Sequence, residues 1–336
     1  MTGPQRLPTT MLVDLPNWVG DQMMAMPALG RLVQANRYGE TVLHTRPPML
    51  RLLAELFPQT KVVASPRKTS PLSSARAVCR PYGRCRVGVS LRNAARGKIL
   101  IRIGARWSIG SRSEGAYVLL SESCAVDRGQ HQVHDADEIL AALGLESADP
   151  LWRPSLPAFL EREGEEILRR AGVDRERAVG VAPATARSEH KRWSAEGYGE
   201  LAARLSKKGC EPVIVIGPGE QPVADALCVA ADRRLPVVGE DQDVAGLAAI
   251  VASLRTVVGN DSGPMQTAAR FGTPVVAIFG PTEPGRTGPL GRGHRVLSCA
   301  GAFDNRNRGI SVDAIEEAVA ASLRNLIRGP RNGPAG

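Results

Sequence analysis

Short apolar runs alternate with helical patterns along most of this chain, and that alternation limits the fold more than any other feature. The clearest runs are 178–182, 212–216, 237–238, 256–258 and 274–279. They are rich in β-branched residues and carry no polar alternation, which marks strands buried on both faces. Helical patterns fall between them, at about 160–171, 195–208, 221–232, 243–253, 263–271 and 312–327. Strands and helices in strict turn build a parallel sheet covered by helices on both sides.

The first half begins the same way. A strand at 11–15 leads through Pro16-Asn17-Trp18-Val19-Gly20 into a helix expected from Asp21, as its N-cap, to about Asn36. Met23, Met26, Leu29, Leu32 and Val33 give that helix one apolar face. A strand at 41–45, a Pro-led helix at 47–57 and a strand at 61–64 follow. From Ser65 to about Arg112 the pattern weakens into Arg, Ser and Gly, and loops with a short strand near 86–91 are expected there. A helix over 135–143 ends at Gly144.

A length of 336 residues suits two domains of roughly 150 residues each. Pro150, Pro154 and Pro157 mark a stiff boundary, so the domains are expected at 1–155 and 156–310, with a last helix at 311–328. Both are expected to be Rossmann-like, an α/β class with parallel sheets. Ligands of such sheets lie beyond the carboxyl ends of the strands, so the loops after strands carry the chemistry.

Three such loops stand out. In Asn17-Trp18-Val19-Gly20-Asp21, Gly20 permits a tight turn, and Asp21 is either a plain helix cap or a general base for a hydroxyl. In the loop 183–193, Thr185 and Ser188 offer hydroxyls, and Lys191 with Arg187 or Arg192 offers charge for a diphosphate. The alternative there is a solvated basic loop; the Gly-x-x-x-x-Gly-Lys spacing of a P-loop is absent. In the loop 259–265, Asp261 faces sugar hydroxyls or caps the helix, and Ser262 and Gly263 place free N–H groups at a helix start. Thr282, in the next loop along the same sheet edge, is placed to approach a phosphate.

Composition narrows the partners. The net charge of +9, from 43 basic and 34 acidic residues, favours anionic ligands or surfaces. Aromatic residues make up only 4% of the chain, too few for base-stacking platforms, which argues against a nucleic-acid-binding module. The six cysteines form no Cys-x-x-Cys pair, and His131 and His134 have no third ligand nearby in sequence, so no metal is expected and the thiols are expected to be reduced. No run reaches the roughly 18 apolar residues of a membrane span. A cytoplasmic, monomeric protein that meets lipid only from the membrane surface is the expectation.

Together these loops resemble glycosyltransferase family 9, the ADP-heptose heptosyltransferases. The matching stretches are N-W-V-G-D at 17–21 with P-A-L at 27–29, K-R-W at 191–193, G-N-D-S-G-P-M at 259–265, G-T-P-V-V-A-I-F-G-P-T-E-P at 272–284 and R-T-G-P at 286–289. The Trp18 form of the first loop is similar to that of enzymes adding the second inner-core heptose. The resemblance implies a GT-B fold: two facing Rossmann-like domains, the first for the acceptor and the second for the nucleotide sugar. It implies an inverting transfer from ADP-heptose to a hydroxyl of the lipopolysaccharide core, with no cofactor or metal. Asp21 would be the base, with Gly20 beside it. Lys191 would bind the diphosphate near Thr185 and Arg187. Asp261, Ser262, Gly263, Met265, Gln266 and Thr282 would contact heptose and phosphate. Glu220 would sit near the ribose and Gln242 beside the adenine. The last helix would cross back to the first domain. Two departures are visible: Gln266 stands where the family has His, and the segment before the last helix is short, with only Cys299. Both leave room for a family member acting on a secondary-metabolite or protein acceptor.

Overall fold

The computed structural model describes residues 10–36, 39–66, 68–113, 115–184, 189–299 and 309–328, with the side chains of the last helix described to residue 324. The chain forms two compact units, Met1–Ser155 and Leu156–Gly336. The division falls among the prolines at 150, 154 and 157.

In the first unit the strands are β1 (Thr10–Asp14), β2 (Glu40–Thr45), β3 (Lys61–Ala64), β4 (Cys85–Ser90), β5 (Ala105–Ser111) and β6 (Glu122–Cys124). Their order in the sheet is β3-β2-β1-β4-β5-β6, all parallel. In the second unit they are β7 (Ala178–Ala182), β8 (Glu211–Val215), β9 (Val237–Val238), β10 (Thr256–Asn260), β11 (Val275–Phe279) and β12 (Arg295–Ser298), ordered β12-β11-β10-β7-β8-β9 and again all parallel. Numbered within its own unit, each sheet runs 3-2-1-4-5-6. That is the doubly wound order, whose direction reverses between the first and fourth strands. The reversals fall between β1 and β4 and between β7 and β10.

The second sheet shows why its strands read as continuous apolar runs. Val179, Val181, Ile214, Val258, Val276 and Ile278 pack on one face, while Ala178, Ala182, Val213, Val215, Val257 and Val275 pack on the other. Alternate residues enter opposite cores, so every position is buried. The helix Val312–Arg328 places Ile315, Ala318 and Val319 in the first of these cores.

The stretch 65–112, expected to be irregular, is regular. It holds the helix Pro71–Tyr82, capped by Ser70 accepting from the Ser73 N–H at 3.1 Å, then β4, the helix Ala95–Gly104 and β5. Gly88 and Gly104 there are packing points and not loop residues. A Cβ at Gly88 would lie 2.8 Å from the Ala105 Cβ, and one at Gly104 would lie 2.7 Å from Leu12 Cδ2. Its helices keep only a narrow apolar stripe, such as Ala75 and Val78 in the first, with arginines on the outside. β12 and the short helix Pro284–Thr287 were likewise not expected.

Among the described residues, no helix is long and apolar enough to cross a membrane. The six cysteines are free thiols.

Candidate active site

In the first unit a cavity of about 210 Å³ opens at the sheet's reversal point. Pro16, Asn17 and Trp18 line it from the loop after β1, Asp21 from the start of the next helix, Arg92 and Asn93 from the loop after β4, and Gln132 and Asp135 from the segment after β6. Asp21 is not the helix cap. The helix is Val19–Ala35 with Trp18 at its N-cap, so Asp21 sits in the first turn beside the exposed N–H groups. Gly20 is likewise helical and not in a tight turn. Negative charge is favoured in a first turn by the helix dipole. The Gln132 amide donates to Asp21 Oδ1 at 3.1 Å and orients it toward the cavity.

A buried polar frame holds this loop. The Gln22 amide donates to the Pro16 carbonyl (2.8 Å), Arg46 Nε donates to Asn17 Oδ1 (2.7 Å), and Arg92 donates to the Leu15 carbonyl (2.7 Å). Beneath it lies Asp14, at the end of β1. Its Oδ1 meets His44 Nδ1 at 2.7 Å and Arg92 Nη2 at 3.2 Å, and His44 Nε2 meets Ser65 Oγ at 3.0 Å. The order Asp–His–Ser is that of a nucleophile triad. All three are buried, however, with Ser65 only 3% exposed, so no substrate reaches the hydroxyl. The network instead ties together the carboxyl ends of β1, β2 and β3, and through Arg92 the loop after β4. A second buried cation, Lys98, donates to the Asn93 carbonyl and the Ser113 carbonyl, each at 2.6 Å, joining the loops after β4 and β5. The sequence pattern missed Arg46, Arg92, Lys98 and Gln132. The weak periodicity of 65–112 hid two of them, and none lies in a recognisable motif.

In the second unit the loops after β7 and β10 meet at that sheet's reversal point. Gly259 makes this possible: a Cβ there would lie 2.9 Å from the Ala182 carbonyl oxygen. Asn260, fully buried, joins the loops. It accepts from the Trp193 N–H at 3.0 Å and donates to the Pro183 carbonyl at 2.7 Å. Lys191, closing a short 3-10 turn, donates to Asp261 Oδ2 at 3.1 Å. Lysine has three donors, and this pair uses one. Ser262 occupies the N-cap of the helix Gly263–Arg270 but makes no cap bond. Its Oγ is buried without a partner, as are the hydroxyls of Thr282 and Thr287 in the segment after β11. Unpaired buried hydroxyls are costly and mark a place built for a polar ligand. A cation, three hydroxyls and a helix N-terminus therefore converge on one sheet edge, an arrangement suited to phosphate oxygens.

The remaining expected residues divide. Glu220 lies in the loop after β8, the place of the ribose-binding carboxylate in this topology, but its Oε2 accepts from the Gly217 N–H at 2.8 Å and shapes its own loop. Gln242 precedes the helix Val244–Ser253, with its amide packed over Gly246. Gln266 is buried and donates to the Thr287 carbonyl, tying the helix to the R-T-G-P segment. Met265, expected to contact substrate, is instead fully buried in the core with Ala268 and Phe279. Its place in the motif is a packing one. Thr185, Arg187 and Ser188 lie outside the described residues. Among the described residues, no group of three or more His, Cys, Asp or Glu is placed to hold a metal ion; His134 pairs with Asp137 at 2.9 Å.

Comparison with known proteins agrees with this architecture. Residues 87–308 match the description of glycosyltransferase family 9 (heptosyltransferase). The lipopolysaccharide heptosyltransferase 2 of Escherichia coli (strain K12) is 25% identical over 334 residues, covering 92% of this chain and 93% of that protein. Among solved structures, a family 9 glycosyl transferase from Veillonella parvula DSM 2008 aligns with a TM-score of 0.81 at 18% identity, over 96% of this chain and 100% of that one. The ADP-heptose heptosyltransferase II of E. coli aligns with a TM-score of 0.76 at 20% identity, over 95% and 100%. The similarity in fold extends over both doubly wound units, so the GT-B class applies.

Proposed function

This chain belongs to glycosyltransferase family 9, and from that premise we propose that it moves a heptose from ADP-heptose to a hydroxyl of the lipopolysaccharide inner core. It is a glycosyltransferase of heptosyltransferase type. The observation that carries the donor half is the Lys191–Asp261 pair beside the unpaired hydroxyls of Ser262, Thr282 and Thr287.

Breaking the anomeric C–O bond builds positive charge on the sugar and negative charge on the departing diphosphate. In this proposal Lys191 and the N–H groups at Gly263 take up that negative charge, so the transfer needs no metal. Asp261 accepts from sugar hydroxyls while holding Lys191 in place. Glu220 and Gln242, in the loops after β8 and β9, line the nucleoside end. Asp21 accepts the proton of the attacking hydroxyl, which approaches the face opposite the leaving group, and the anomeric configuration inverts. Asp21 needs to act only as the hydroxyl loses its proton in the transition state.

Thermal shift against a panel of nucleotide sugars tests the donor, with ADP-heptose expected to stabilise the protein most. Transfer from ADP-heptose to a truncated lipid core tests the acceptor. Stabilisation by a different nucleotide overturns the donor assignment. Turnover on a small-molecule acceptor with none on the core overturns the acceptor assignment.

A further inference from the structure

Between Glu55 and Glu114 the sequence holds thirteen Lys and Arg and not one Asp or Glu. That excess is larger than the net charge of the whole chain, +9. The fold gathers much of it on one side of the first unit. The helices Pro71–Tyr82 and Ala95–Gly104 pack against each other, and the 3-10 turn Ala116–Leu119 packs on the second. Leu72, Arg76 and Arg80 recur at every fourth residue, which sets them in one stripe along the first helix, and all three are exposed. Arg96 and Arg102 are exposed on the second helix. Arg96 donates to the Thr69 carbonyl at 2.7 Å, which spends none of its charge. Among the described residues, no carboxylate lies within ion-pair distance of Arg76, Arg80 or Arg102. At the edge of this face stand Val118, 73% exposed, and Leu119, 47% exposed.

We propose that this face docks the protein on an anionic lipid surface, with arginines 76, 80, 96 and 102 meeting the headgroups and Val118, Leu119 and Leu72 entering the interface. Uncompensated arginines draw the surface to negative charge, and exposed aliphatic side chains distinguish a lipid boundary from a nucleic acid, which calls for stacking rings. The helix Ala95–Gly104 leaves directly from Ala94, which lines the Asp21 cavity. One end of the face therefore adjoins that cavity. The docking rests on charge and exposure alone and stands whichever sugar is transferred.

Flotation of the full chain with vesicles tests it. Binding is expected to vesicles of phosphatidylethanolamine with phosphatidylglycerol and not to phosphatidylcholine alone, and to weaken as salt rises. Each arginine near an anionic surface is worth about 1 kcal/mol, so Arg76→Ala with Arg80→Ala is expected to weaken binding about 30-fold. The same double variant should leave thermal stability and ADP affinity unchanged. Val118→Ser with Leu119→Ser should remove the part of binding that survives high salt. The control is Arg233→Ala with Arg234→Ala, which removes equal charge from exposed positions on the second unit. If the control weakens binding as much as the Arg76/Arg80 variant, net charge and not this face is responsible, and the proposal fails. It fails equally if the wild-type protein does not float, or if duplex or single-stranded nucleic acid competes it off the vesicles through the same residues.

Discussion

Asn260→Ala should disable the second unit's loop pair without touching any ligand. The side chain is fully buried and makes two bonds, from the Trp193 N–H at 3.0 Å and to the Pro183 carbonyl at 2.7 Å. Both partners are buried themselves. Truncation orphans one backbone donor and one backbone acceptor, each at about 1–3 kcal/mol, so a loss of roughly 3 kcal/mol is expected. For a unit of this size that lowers its melting temperature by about 6–12 °C. Trp193 follows Lys191 by two residues, and Asn260 directly precedes Asp261, so the same cut releases both halves of the charged pair. Losing one well-set charged contact costs about 1.5–3 kcal/mol, or roughly ten- to hundredfold in ADP affinity. Denaturant unfolding and isothermal titration with ADP read the two effects separately. Stability within about 0.5 kcal/mol of wild type, together with unchanged ADP binding, would refute the view that Asn260 sets the loops.

Other expectations follow from single contacts. Asp21→Ala should slow transfer about 10²–10⁴-fold with ADP affinity unchanged, and full activity on the true acceptor would remove Asp21 from the role of base. Lys191→Ala should weaken ADP binding at least about tenfold, and an unaltered dissociation constant by titration would speak against a diphosphate role. Gly164→Ala drives a Cβ into the Ala249 carbonyl oxygen, so the helix Ala158–Arg170 must shift off the helix Val244–Ser253. A destabilisation of about 1–3 kcal/mol is expected by denaturant unfolding, and none would mean that this approach is looser than described. Burial pushes the Cys85 thiol up to about 11, and burial also raises Cys124. Maleimide at neutral pH, followed by peptide mass analysis, should label the folded protein without modifying Cys85, because the thiolate is the reacting form. Early labelling of Cys85 would contradict its burial.

The candidate site was legible where chemistry and secondary structure share a short stretch of chain. In G-N-D-S-G-P-M the strand end, the helix start, Asp261 and Ser262 are consecutive, so periodicity alone set them beside one another. Lys191 was visible as a cation in a loop after a strand. Its partner was not, because Lys191 and Asp261 are seventy residues apart and meet only when β7 and β10 pair. Met265 misled for the converse reason. A motif position carries no label that separates a residue touching ligand from one filling the core behind it. Asp21 was singled out by its place after a strand, but its helix is capped by Trp18, three residues earlier than expected, and this makes it a first-turn carboxylate and not a cap.

By itself the sequence determined the alternation of strand and helix, the two-unit division near the prolines and which loops stand at strand ends, since all of these are local consequences of side-chain spacing. Only the tertiary structure decided the strand order, and with it which loops lie at each reversal point. It also decided the fate of 65–112, where a helix covered with arginines shows too little apolar periodicity to be told from a loop until a sheet is there to bury its few inward residues. The buried frame of Asp14, His44, Arg92 and Lys98 belongs to the same class. Polar side chains read as surface until the fold supplies partners that repay their desolvation, and those partners come from strands far apart in the chain.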